Sequence, residues 1–113
     1  MKRQPIFISL FMLSTLICFA QQQSLITGIV FTNDYLPAEG ANIVLLSATD
    51  SAFITGTAAN KNGNFQLKEI PKGLYYVQVS MLGYQKNSCK ANILAGKPFM
   101  LDTIYLQPEA IGL

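Results

Sequence analysis

Leu74-Tyr75-Tyr76-Val77-Gln78-Val79-Ser80-Met81-Leu82 is the stretch on which the fold turns. In an extended chain Tyr75, Val77, Val79 and Met81 share one face and Tyr76, Gln78, Ser80 and Leu82 the other. The first set is therefore expected in a core and the second outside it. Pro71-Lys72-Gly73 supplies a turn before this segment, and Gly83-Tyr84 bends the chain after it. Further out, Gly28, Gly40, Gly56, Gly63 and Gly96 separate short runs rich in β-branched, aromatic and aliphatic residues, with no apolar pattern sustained at helical spacing. The pattern predicts an all-β chain folded as a seven-stranded antiparallel sandwich. Its strands are expected at Leu25 to Thr32, Ala41 to Leu46, Phe53 to Ala58, Asn64 to Glu69, Leu74 to Leu82, Gln85 to Ile93 and Leu101 to Leu106. Asn60-Lys61-Asn62-Gly63 reads as a hairpin turn, because Asn and Gly tolerate positive φ. Pro108 ends the last strand, since proline has no ladder donor.

The whole chain has 113 residues, 50% hydrophobic and 12% charged, with eight Lys and Arg against six Asp and Glu, two Cys and no His or Trp. One domain fits that length, and so few charges exclude a disordered polyelectrolyte. A formal +2 is too small for a nucleic-acid binder, which presents a dense basic patch, so no nucleic-acid partner is expected. The lack of His removes Ser-His and Cys-His catalysis, His-containing zinc sites and a His pH switch.

Lys2 and Arg3 precede an uncharged, mostly apolar stretch from Ile6 to Ala20. A membrane-spanning helix needs roughly 20 apolar residues, which this stretch does not reach. A cationic start, a short apolar centre and the small residues Cys18 and Ala20 read instead as a signal peptide cleaved after Ala20. Ile17 stands where a lipidation signal at Cys18 would want a small residue. The expected organisation is 1–20 signal peptide, 21–107 sandwich and 108–113 tail or start of a linker. Removing 20 of 113 residues leaves 93, in which both basic residues of the signal are gone and the charges balance. The mature chain is expected to have no membrane-spanning segment and no intrachain disulfide. Its one cysteine, Cys89, reads as a small, half-buried strand residue with no His or Cys partner to activate it.

Motifs that carry chemistry are few in the sequence. Asn60-Lys61-Asn62-Gly63-Asn64 has the look of a calcium loop, but amides or Lys stand where carboxylates are needed. Asp34, Glu39, Asp50, Glu69, Asp102 and Glu109 are scattered singly, and neither a P-loop nor a dinucleotide fingerprint is present. Lys61, Lys68, Lys72, Lys86, Lys90 and Lys97 read as solvation of turns and exposed faces. No catalytic, cofactor-binding or metal-ligating residue is expected, and no cofactor; binding residues are not assigned. The five tyrosines could stack on sugar rings, but Tyr75 is expected in the core and the others are spread along the chain. Two strands carry apolar residues on both faces: Ile29 and Phe31 opposite Ile26, Gly28 and Val30, and Val44 and Leu46 opposite Ala41, Ile43 and Leu45. A partner-docking stripe is one reading; cover by loops of the same domain, or ordinary exposed aliphatics, is the preferred one.

The order of turn glycines and strand cores resembles the carboxypeptidase regulatory-like domain, a transthyretin-like sandwich. The matching segments are Ile26-Thr27-Gly28-Ile29-Val30, Gly40-Ala41-Asn42-Ile43-Val44-Leu45, Asn62-Gly63-Asn64-Phe65, and Ile70-Pro71-Lys72-Gly73-Leu74-Tyr75 running on to Gly83-Tyr84. Ala59-Asn60 departs from the family's usual Thr-Asp before the Asn-Gly turn. A signal peptide followed directly by such a domain resembles the N-terminus of TonB-dependent, SusC-like outer-membrane receptors and related outer-membrane β-barrel proteins. The segment from Leu101 to Leu113 is similar to the closing strand and linker that lead there into the plug. The resemblance implies a non-enzymatic accessory domain on the periplasmic side of the outer membrane, with a receptor plug and barrel or another envelope protein as partner. The alternative is a carbohydrate-binding module of starch-binding-like fold, with a glycan as ligand. Transthyretin-like hydrolases share the architecture but depend on His, which is absent here. A Lys-Asn isopeptide bond, known in related bacterial surface sandwiches, needs a Lys on the first strand, and Leu25 to Thr32 has none.

Overall fold

The structure is a computed structural model that describes residues 22–110. The signal-peptide reading, Cys18 and the last three residues lie outside that range. Among the described residues eight strands form two sheets: β1 Ser24–Thr32, β2 Asn42–Ser47, β3 Phe53–Ala58, β4 Asn64–Ile70, β5 Gly73–Ser80, β6 Asn87–Ile93, β7 Phe99–Met100 and β8 Ile104–Leu106. One sheet has the order β3-β2-β5-β6, all antiparallel. In the other, β1 is flanked by β4 on one side and by β7 and β8 on the other. Alternation decides what lies between the sheets: Tyr75, Val77 and Val79 of β5 are buried, as are Ile43 and Leu45 of β2. They meet Ile26 and Val30 of β1, Phe65 and Leu67 of β4, and Ile104 and Leu106 of β8 in one cluster. Burying a side chain of this size contributes about 1.5–3 kcal/mol, so the alternating stretch from Leu74 sets which way β5 faces.

The sandwich matches the expectation from sequence, and the closing strand departs from it in two ways. It is split in two, with a break at residues 101–103, and both pieces run parallel to β1 instead of antiparallel. The antiparallel neighbour of β1 is β4, paired from Ser24↔Ile70 to Ile29↔Asn64. The chain returning from β6 crosses to the opposite edge and runs in the direction of β1. Across the break the Leu101 amide still donates to the Thr27 carbonyl at 2.9 Å. β5 also ends at Ser80, two residues early, because the Tyr84 amide turns back onto the Met81 carbonyl at 3.0 Å. Beyond Leu106 the chain remains tied down: the Gln85 amide donates to Gln107 O at 2.8 Å and the Glu109 amide to Gly83 O at 2.9 Å.

The Asn-Gly turn does more than reverse the chain. Asn60 Oδ1 accepts the amides of Asn62 and Asn64 at 2.9 and 3.0 Å, which uses the side chain to shape the loop. Gly63 sits at φ 83° and its carbonyl accepts the Val30 amide at 2.8 Å, extending the β1–β4 ladder by one rung. The turn therefore carries the chain from β3 in one sheet to β4 in the other and is not the hairpin expected from sequence, since β4 pairs with β1 and not with β3. A Cβ on Gly63 would run into the Val30 carbonyl oxygen, a backbone atom that cannot swing aside. At Gly28 the reason for glycine is different: an added Cβ would stand 2.6 Å from the Phe65 ring, which occupies that space. Gly63→Ala is predicted to lose about 2 kcal/mol or more, combining the left-handed penalty with a weakened buried hydrogen bond. Gly28→Ala is predicted to lose about 1–3 kcal/mol by overpacking. Urea unfolding should show both as lower midpoints with unchanged slopes.

Candidate functional site

The outward face of the β4-β1-β7/β8 sheet departs from an ordinary polar surface. On β1 the residues between the buried positions, Thr27, Ile29 and Phe31, point away from the core. In register beside them stand Met100, opposite Thr27, and Tyr105, opposite Phe31. Ile29 is 36% exposed, Tyr105 43% and Met100 80%. The Phe31 and Tyr105 rings stack at 5.8 Å between centroids with 25° between planes. Tyr35, from the loop after β1, presents itself edge-on to Tyr105 at 5.6 Å and 72°. Offset-stacked and edge-to-face pairs of this kind are favourable aromatic geometries.

That loop is held by the end of β1. The Tyr35 amide donates to Thr32 O at 3.0 Å, the Thr32 amide to Leu36 O at 2.8 Å, and Thr32 Oγ1 accepts the Asp34 and Leu36 amides at 3.3 and 3.4 Å. Tyr35 itself has φ 63°, a left-handed conformation that is costly for a large side chain, yet it is 75% exposed. The loop thus holds Tyr35 in a disfavoured backbone state with its ring largely in solvent. Neighbouring segments reach over Phe31, but the residues that do so are aromatic and themselves exposed, so the stripe on β1 is widened.

Alongside the aromatic cluster runs a groove of about 760 Å³ lined in part by Thr27, Ile29, Asn64, Gln66, Met100 and Thr103, with no charged side chain in its wall. Ile29 and Thr103 connect the two features, each two residues from a ring of the cluster.

The other residues singled out in the sequence lie elsewhere. Tyr75 is buried, as expected, and its hydroxyl donates to Pro71 O at 2.8 Å. All six lysines of the described residues and all six acids are exposed. Among the described residues no three His, Cys, Asp or Glu come together as a metal site would require. No helix there is long and apolar enough to cross a membrane. Cys89 is half-buried on β6 facing the sandwich interior, and its thiol donates to Asn87 Oδ1 at 3.7 Å. Burial pushes the Cys89 thiol above the usual thiol range, and the nearby Asp102 carboxylate adds to the shift. Sequence reading placed Phe31 on an outward face but did not find the cluster. Tyr35 and Tyr105 are seventy positions apart, and only the parallel pairing of β8 with β1 brings them together.

These features define a small β-sandwich with an apolar sheet face beside an uncharged groove. The profile of the CarboxypepD_reg-like domain family matches residues 26–112, and the chain belongs to that family. Among curated proteins none matches it. Of solved structures, the major pilin subunit BcpA of Bacillus cereus superposes with a TM-score of 0.65 at 15% identity over 78% of this chain and 31% of the pilin. The group B streptococcus pilus 2b backbone protein gives 0.58 at 18% identity over 76% of this chain, which spans 41% of that protein. The Klebsiella pneumoniae 5-hydroxyisourate hydrolase gives 0.57 at 16% identity over 78% of this chain and 90% of the hydrolase. At such identities the likeness is one of fold.

Because the Cys89 shift disfavours the thiolate in the folded state, the neutral thiol contributes stability that is present below the unfolded-state pKa. That contribution is lost as pH rises through the higher folded value. Alkylation at Cys89, read by peptide mass, should be slower in the folded chain than in urea at the same alkaline pH. Asp102→Asn should accelerate it in the folded chain, because one cause of the shift is removed.

Proposed function

We propose that this chain is a non-enzymatic interaction domain of the cell envelope, exported by its N-terminal segment and working on the periplasmic side of the outer membrane. There it docks on a receptor plug and barrel or on another envelope protein. The observation that carries the reading is the exposed face formed by Ile29, Phe31, Tyr35, Met100 and Tyr105. Aromatic residues and Met are enriched at the centres of protein interfaces, and charge is depleted there. The resemblance of the leading segment and closing strand to receptor N-termini supports the choice of partner. The chain lacks His, and the thiol of Cys89 is held in its unreactive form, which supports a binding role over catalysis.

The test is site-specific photo-crosslinking in the native envelope. A crosslinker at Tyr105 or Met100 should capture an outer-membrane β-barrel protein, and one at Lys61, on the Asn-Gly turn, should not. Ile29→Lys should abolish the capture without unfolding the domain, since Ile29 lies outside the core. Equal capture from both positions, or none, would count against the proposal, as would the absence of any plug or barrel coding sequence in frame with or beside this gene.

A glycan is the second reading, and the uncharged groove beside the rings favours it. Thr and amide side chains match sugar hydroxyls, and aromatic rings match the C–H faces of pyranoses. Titration with linear α- and β-linked glucans decides the matter. Saturable binding lost in Tyr35→Gly and Tyr105→Ala supports a glycan site, and the absence of saturation removes it. Tyr35→Gly separates function from folding, because relief of the left-handed conformation should leave stability unchanged or raise it by up to about 1–2 kcal/mol.

A further inference from the structure

The strands nearest the two ends of the described chain are hydrogen-bonded neighbours, and they are parallel. Ile26↔Phe99 and Thr27↔Met100 pair β1 with β7, and Val30↔Ile104, Phe31↔Tyr105 and Thr32↔Leu106 pair β1 with β8. The chain enters β1 at Ser24 and leaves β8 at Leu106, beside Thr32. Entry and exit therefore lie at opposite ends of a nine-residue strand, about 30 Å apart at roughly 3.3 Å per residue. A pull applied through these ends draws β1 one way and β7–β8 the other along their shared axis. Every bond between them then shares the load and must fail together. If the strands were antiparallel, entry and exit would lie at one end and the same bonds would open singly.

We propose that the domain carries tension along its own chain, with the β1–β7/β8 seam as its mechanical clamp. The packing adds a lock. Ile104 and Leu106 are buried in the core while Tyr105 faces outward, so a slip of one residue would turn both aliphatic side chains out and the phenol in. Each end also has a latch. The Ser24 hydroxyl donates to the Lys97 carbonyl at the entry, and residues 107–109 pair with 83–85 at the exit through the Gln85 and Glu109 amides and a Tyr84↔Pro108 bridge. Such an arrangement suits a domain held at one end of its chain while something attached at the other end moves. The inference goes beyond the docking face and stands without it, because it uses the seam and not the outward side chains.

Single-molecule pulling on the full chain tests it through load direction. With Cys18→Ser and Cys89→Ser as background, handles at Gln22→Cys and Ala110→Cys load the seam in shear. Handles at Gln22→Cys and Lys72→Cys instead sit at one end of the antiparallel β1–β4 pair, beside Ser24↔Ile70, and open it as a zipper. All three handle positions are exposed, so both molecules should show the same urea midpoint, and forced unfolding then reports direction-dependent barriers. The expected result is a severalfold higher unfolding force for the Gln22/Ala110 pair, released in one step. Equal or lower force for that pair, or stepwise peeling from Ala110 inward, would overturn the proposal.

Discussion

Everything in this domain leans on β1 being hydrogen-bonded along both edges. One edge is antiparallel to β4 and the other is parallel to β7 and β8, so the strand from Ser24 to Thr32 is the strand on which both closing segments pair. Toward its C-terminal end Val30 is fully buried; its amide donates to Gly63 O at 2.8 Å and its carbonyl accepts the Ala38 amide at 2.9 Å. Two loops distant in sequence are thereby fixed on one residue. The side chains of the strand then divide by parity: Ile26 and Val30 supply core, and Ile29 and Phe31 supply the exposed face. Core, exposed face and parallel seam are three parts of the structure built on one strand.

The chemistry is correspondingly spare. The two exposed rings of the aromatic cluster come from different segments, and Phe31 beneath them belongs to β1 itself, so the surface exists only when the seam is closed. Closure of the β1–β8 seam and integrity of the outward face are therefore linked. A partner that contacts both Phe31 and Tyr105 bridges the two strands whose separation begins unfolding, and its binding energy adds directly to the clamp. A docking surface placed on sheet β3-β2-β5-β6 would not have this property.

How far the sequence could be read follows from the range of each interaction. Alternation over Leu74 to Leu82 is local, and it correctly puts Tyr75, Val77 and Val79 inside. The Asn60 to Gly63 turn is local too, and the structure shows the tight turn that its residue types demand. The expected hairpin is absent, because which strand β4 pairs with is a nonlocal matter and it pairs with β1 in the other sheet. Cys89 is half-buried on its strand as expected. The closing strand is not legible locally, because its direction and its division depend on which edge of β1 remains free after β4 has paired, and no window around Leu101 encodes that. A two-residue strand after Pro98 is also too short to show periodicity. The aromatic cluster was hidden for the same reason: Tyr35 and Tyr105 become neighbours only through that nonlocal, parallel register. The left-handed conformation at Tyr35 could not be anticipated either, since the residue types that normally mark it are Gly and Asn.

Native-state hydrogen exchange on the full chain tests the central role of β1 most directly, because it ranks amides by the opening that exposes them. The account predicts that the hydrogen-bonded amides of β1, Val30 among them, and of β8 exchange only by the global unfolding event and respond to urea with the full unfolding slope. Exchange of β8 and its partners on β1 through a small local opening, with sheet β3-β2-β5-β6 still protected, would contradict it.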